Sequence, residues 1–184
     1  MNWEWFPTFG CSTSNRRIPH EPVFFGKRPG KAFSSTDQVM ETNGTGGYVV
    51  KHSGACLCGR VRFEVDGVFE SFYLCHCERC RKDTGSAHAA NLFSASARLR
   101  WLSGEGCIRT FDFNSTGHVR SFCTVCGSAL PNVQMDGALL VVPAGSLDTD
   151  VPIQPQGHIY CSRKANWDTA LEAVPRFEEL PEEE

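Results

Sequence analysis

From Tyr48 onward, hydrophobic and polar residues alternate in short runs separated by turn residues. Val61, Phe63 and Val65 interleave with Arg60, Arg62 and Glu64, the two-residue period of a half-buried strand, and Asp66-Gly67 then turns the chain. Residues 69–74 are apolar and lead directly into Cys75. Further strands are predicted at 89–93, 99–102, 108–113, 118–122, 138–142 and 158–160. Asn114-Ser115-Thr116-Gly117 reads as a hairpin loop, so that the second strand of the pair delivers Cys123 and Cys126 at its end. Helix is scarce: a turn or so at 78–83, and a segment at 167–174 stopped by Pro175. The pattern predicts a mainly β fold.

Residues 1–46 show neither period. They mix Pro, Gly, Ser and charge with scattered aromatics such as Trp3, Trp5, Phe24 and Phe25, and read as a poorly ordered extension, either a partner-binding arm or a plain tail. The 184 residues suit one domain, expected over 47–180, with that extension and an acidic tail over 181–184. A net charge of -3 offers no basic field for a polyanion, which argues against nucleic acid as a partner. No run reaches the roughly 18 apolar residues of a membrane span, and no export signal opens the chain, so the expectation is a cytoplasmic protein with no membrane partner.

Ten cysteines are many for this length, and seven fall into three tight groups: Cys56 and Cys58; Cys75, Cys77 and Cys80; Cys123 and Cys126. In a reducing compartment such groups read as metal ligands before disulfides. Cys11, Cys107 and Cys161 stand alone and receive no role. Cys123-x-x-Cys126 is a common zinc half-site, because a tight turn aims both sulfurs at one ion. Cys56-x-Cys58, expected on an extended segment with both sulfurs on one face, supplies the other half. Two plus two closes a structural site that clips the start of the domain to a later hairpin. An iron–sulfur cluster is the competing reading, although the Cys-x-Cys pairs do not match common ferredoxin spacings.

The segment Cys75-His76-Cys77-Glu78-Arg79-Cys80 brings three thiols within six residues and leaves a fourth position unassigned. Structural zinc sites are closed, whereas sites with chemistry keep a position open, so a cluster of three points to function. His76, His88, His118 or a lone cysteine could complete it instead, but His76, between two ligands on an extended segment, should point away from their shared face. Three thiolates leave a divalent zinc with a net negative charge, a poor activator of water; a soft thiol, which coordination deprotonates, suits the fourth position better. Arg79, Arg81 and Lys82 either offset that charge or form a solvated face.

Together these motifs resemble the glutathione-dependent formaldehyde-activating enzyme family, which includes centromere protein V. Ser53-Gly54-Ala55-Cys56-Leu57-Cys58-Gly59 is similar to the family's opening strand motif, and 75–86 to its Cys-x-Cys-x-x-Cys-Arg-Lys segment. Phe122-Cys123-Thr124-Val125-Cys126-Gly127-Ser128 is similar to its closing motif, and His158-Ile159-Tyr160 through Lys164-Ala165-Asn166-Trp167 to its tail. The resemblance implies a zinc-containing β-tent of small twisted antiparallel sheets with one or two short helices. It implies two Zn²⁺ ions, a structural one on Cys56, Cys58, Cys123 and Cys126 and an open, catalytic one on Cys75, Cys77 and Cys80. The activity it implies is that of a carbon–sulfur lyase joining glutathione and formaldehyde as S-hydroxymethylglutathione, with His76, Glu78 and His88 as candidate proton carriers. The competing readings are a non-catalytic zinc module binding a protein or nucleic acid, and a zinc store or redox switch.

Overall fold

A computed structural model describes residues 40–42, 48–113 and 116–181. The extension expected over 1–46 lies outside the described residues except for Met40–Thr42. Among the described residues twelve strands follow in chain order: β1 (Met40–Thr42), β2 (Tyr48–Ala55), β3 (Arg62–Asp66), β4 (Ser71–Cys75), β5 (Ala89–Ser94), β6 (Arg98–Ser103), β7 (Ile108–Phe113), β8 (His118–Cys123), β9 (Ala129–Leu130), β10 (Asn132–Gln134), β11 (Leu139–Pro143) and β12 (Gly157–Ile159). One α-helix, α1 (Glu78–Thr84), lies between β4 and β5. The mainly β expectation holds, and every strand expected from alternation is present within a residue or two.

The strands form three small sheets in the orders β1-β2-β3-β6, β10-β11-β5-β4-β12 and β7-β8-β9. Pairing is antiparallel apart from β12, which runs parallel to β4. Phe63 and Val65 on β3, with Val61 just before it, turn inward as their alternation requires and are fully buried. They share a core with Leu92, Leu130, Leu140 and Val142 from the other two sheets. Burying each such side chain contributes roughly 1.5–3 kcal/mol, which makes this shared interior the common floor of all three sheets.

Two segments depart from expectation. Residues 167–174 do not form a helix; there is only a short 3-10 turn at Leu171–Ala173. Ala170 takes a left-handed φ of 52° and Asp168 turns inward, while Trp167, Leu171 and Val174 stay exposed. With no apolar stripe to bury, so short a helix does not sustain itself. The pair β9 and β10, separated by Pro131, is too short to show a period. The hairpin expected between β7 and β8 is present in their register, Phe113 facing His118, although Asn114 and Ser115 fall outside the described residues.

Gly54 marks where sheets meet. A β-bridge pairs it with Leu147, and an added Cβ would stand 2.3 Å from Phe63 Cζ and 2.4 Å from the Ser146 carbonyl oxygen. The carbonyl belongs to backbone and Phe63 is locked in the core, so neither yields. Gly54→Ala is expected to destabilise the domain by about 1–3 kcal/mol, the usual cost of overpacking. Denaturant unfolding checks this, and an unchanged midpoint would show that the sheets are not pinned there.

Candidate metal centres and the adjoining cavity

The first cluster is built from two turns. The backbone leaves β2 at Ala55, and Cys56 to Gly59 form a turn rather than the extended segment expected from the Cys-x-Cys spacing. The Gly59 N–H donates to the Cys56 carbonyl at 2.8 Å, and the φ of 69° at Gly59 is the left-handed conformation that glycine adopts without strain. The Val61 N–H then donates to Cys56 Sγ at 3.2 Å. In the second turn, at the end of β8, the Gly127 N–H donates to the Cys123 carbonyl at 2.8 Å. Ser128 joins the turns: its hydroxyl accepts from the Leu57 N–H at 3.0 Å and lies 3.3 Å from Cys126 Sγ.

The sulfurs of Cys56, Cys58, Cys123 and Cys126 consequently lie within 4.8 Å of one another, with Cys56 and Cys58 at 3.4 Å and Cys58 and Cys123 at 4.0 Å. A tetrahedral ion at the usual zinc–sulfur distance of about 2.3 Å requires sulfurs about 3.8 Å apart. The donor set fits such an ion in both chemistry and spacing.

The second cluster stands at a strand end. Cys75 closes β4, Cys77 is the N-cap of α1 with extended φ and ψ of -63° and 155°, and Cys80 lies in the first turn. The Cys80 N–H donates to Cys77 Sγ at 3.4 Å. Their three sulfurs also lie within 4.8 Å of one another, and no fourth Cys, His, Asp or Glu among the described residues joins the group. The reading in which a histidine completes it finds no partner there.

His76 points away, as its position between Cys75 and Cys77 predicts. It is buried, with Nδ1 2.7 Å from Asp168 Oδ2 and Nε2 2.7 Å from His158 Nδ1. This network locks the cysteine segment to the tail of the domain. Asp168 gave no signal in the sequence: it follows the tail motif by one residue, inside the segment expected to be helical. Of the other expected proton carriers, Glu78 is exposed and paired with Lys82 at 3.0 Å, an arrangement worth little in water. The His88 ring lies 5.2 Å from that of His76 and outside the cavity lining.

A cavity of about 340 Å³ adjoins this cluster, lined by both Cys75 and Cys80. Strand register explains it. Cys75 pairs with Ala89, Asn91 with Pro143, Phe93 with Val141, and Val141 with Asn132, so these side chains share one face of the five-stranded sheet, while Leu92, Leu140 and Val142 fill the core behind. The facing wall is β8, with His118 and Arg120, and α1 closes one end with Asp83. Arg120 donates to both the carboxylate and the backbone carbonyl of Asp83, and His118 Nε2 lies 3.6 Å from Asp83 Oδ2. Sequence reasoning weighed His118 only as a ligand; the hairpin places it on the cavity wall instead.

The scaffold thus defines a β-rich domain that gathers thiols into two clusters able to hold metal, one of them opening on a cavity. Residues 51–163 match the family described as glutathione-dependent formaldehyde-activating enzyme, and the chain belongs to that family of enzymes. The described domain is also similar to a crystal structure of a Rhodobacter sphaeroides protein, with 21% identity and a TM-score of 0.46 over 58% of this chain and 98% of that one. Among the described residues no helix is long and apolar enough to cross a membrane.

The thiols differ in acidity. In the first cluster, burial pushes Cys58 up to about 12 and raises Cys123, whereas at Cys126 Ser128 and the Cys58 backbone overcome burial and bring the thiol down to about 6. In the second, burial and neighbouring thiols raise Cys75 and Cys80, while at Cys77 burial is outweighed by the Cys80 amide and the adjacent thiols and the value falls. Metal uptake must displace the protons of the raised thiols, so affinity at each cluster is expected to fall as pH is lowered. Metal titration in weak buffer should release at least the two protons of Cys58 and Cys123 at one cluster and those of Cys75 and Cys80 at the other. An affinity that does not change with pH would contradict this.

Proposed function

We propose that the protein is a zinc-dependent enzyme of thiol–aldehyde adducts, working as a carbon–sulfur lyase that forms and cleaves species such as S-hydroxymethylglutathione. Two Zn²⁺ ions are assigned. Cys56, Cys58, Cys123 and Cys126 hold a structural ion, and Cys75, Cys77 and Cys80 hold a second with a position left over. The observation that carries this reading is the grouping of three sulfurs, with no fourth ligand among the described residues, beside a cavity that Cys75 and Cys80 line.

Cys75, Cys77 and Cys80 would hold the second zinc ion, which when bound would supply the positive charge that favours the ionised form of a substrate thiol. The protein's own groups do the rest. In the forward direction the thiol sulfur bonds to the aldehyde carbon, the carbonyl electron pair moves to oxygen, and that oxygen takes a proton; the reverse breaks the same carbon–sulfur bond. The cavity beside Cys75 and Cys80 holds the thiol's body and limits water around the reacting atoms. We assign the proton transfer to His118, whose presence on the cavity wall beside Asp83 supports that role. The Asp168–His76–His158 network works from the opposite face, fixing the backbone that aims Cys75 and Cys77. The cytoplasm, a reducing compartment, keeps the clustered thiols competent as ligands.

Exchange NMR on glutathione and formaldehyde tests this directly. The protein should accelerate interconversion with the adduct, and Cys77→Ser should abolish the acceleration while the domain stays folded. Cys123→Ser should instead lower stability by several kcal/mol, since structural zinc carries roughly 10–16 kcal/mol of binding free energy in small domains. Full activity in Cys77→Ser, or equal unfolding of both variants, would overturn the division of roles.

A further inference from the structure

The cavity carries more information than its neighbourhood to the thiols. Its floor presents three side-chain amides: Asn91 on β5, and Asn132 and Gln134 on β10. Gln134 Nε2 donates to Asn132 Oδ1 at 2.7 Å, which fixes both orientations. That bond leaves Asn132 Nδ2 as a donor and Gln134 Oε1 as an acceptor, neither with a protein partner among the described residues. A donor and an acceptor side by side complement the C=O and N–H of a peptide-type amide.

Charge points the same way. Among the described residues lining the cavity, Arg120 is the only permanent cation, and its guanidinium is engaged: Nη1 donates to the Asp83 carboxylate and carbonyl, and Nη2 to the Gly127 carbonyl at 3.4 Å. A carboxylate entering the cavity would lose its hydration without gaining a free cation, an unfavourable exchange. The apolar wall of Phe93, Val141 and Ile159 accepts aliphatic stems but not charge.

We propose that the cavity selects its thiol through the amide groups of the thiol's body and leaves charged ends in solvent, so that the substrate class is an amide-bearing thiol whose carboxylates contribute little. This rests on the reading of the second cluster as a thiol site. Specificity then lies in Asn91, Asn132 and Gln134, outside the cysteine motifs.

The test uses the full-length protein loaded with cobalt, whose thiolate-to-metal absorption reports binding at the cluster. Three probes are titrated: glutathione, glutathione diethyl ester and mercaptoethanol, the last carrying no amide. The ester should bind within about threefold of glutathione and mercaptoethanol at least about tenfold more weakly, the scale of one or two net hydrogen bonds. Asn132→Ala and Gln134→Ala should each weaken both amide thiols by about three- to tenfold and leave mercaptoethanol unchanged, the last result showing that the cluster is intact. An ester bound at least about tenfold more weakly than glutathione would show that carboxylates are held and overturn the inference. Mercaptoethanol binding as tightly as glutathione would also overturn it while sparing the thiol site. If no thiol moves the bands, the thiol site itself falls and the inference with it. Should either variant fail to fold, the comparison of the three probes on the unaltered protein still decides.

Discussion

The meeting of two turns 65 positions apart, at Cys58 and Cys123, is the constraint on which the rest of the architecture depends. It fastens the end of β2 to the end of β8, and therefore the four-stranded sheet to the three-stranded one, beside a core to which all three sheets contribute. Small sheets bury little area each, so a domain made of them would gain disproportionately from a metal ion bridging these two turns. The Ser128 hydroxyl, the two glycine turns and the Val61 N–H are all arranged around those four sulfurs.

The second cluster inherits its geometry from that frame. β4 brings Cys75 to one face of its sheet and, by alternation, sends His76 to the other. The front opens on the cavity; the back is tied to Asp168 and His158 at 2.7 Å each. Arg120 links the two centres, since it grips Asp83 at the end of the helix that carries Cys80 and also reaches the Gly127 carbonyl in the Cys123–Cys126 turn. The three-thiol cluster beside the cavity is thus braced from behind by a buried polar network and from the side by the four-thiol cluster.

Much of this was legible in the sequence, for identifiable reasons. Two-residue alternation over Val61, Phe63 and Val65 is strong because each position contacts a core, and the cysteine spacings are strong because few backbones satisfy them. The direction of His76 followed from strand geometry alone. What escaped were features set by distant contacts. Asp168 is buried against a histidine more than ninety positions earlier, a contact that no local pattern announces. The Cys56–Gly59 turn hid behind a spacing that also suits a strand. The cavity amides were silent, because Asn132 and Gln134 sit on a three-residue strand too short to show a period. Residues 1–46 remain an expectation apart from β1.

Native mass spectrometry of the zinc-loaded protein tests the central claim most directly, because it counts ions and bound thiol on the same molecule. The account predicts two zinc ions, with one equivalent of glutathione taken up on addition of the thiol. In Cys77→Ser it predicts a single retained ion and no thiol uptake. A protein that holds only one ion, or that takes up glutathione as readily without Cys77, would contradict the division into a closed structural cluster and an open chemical one.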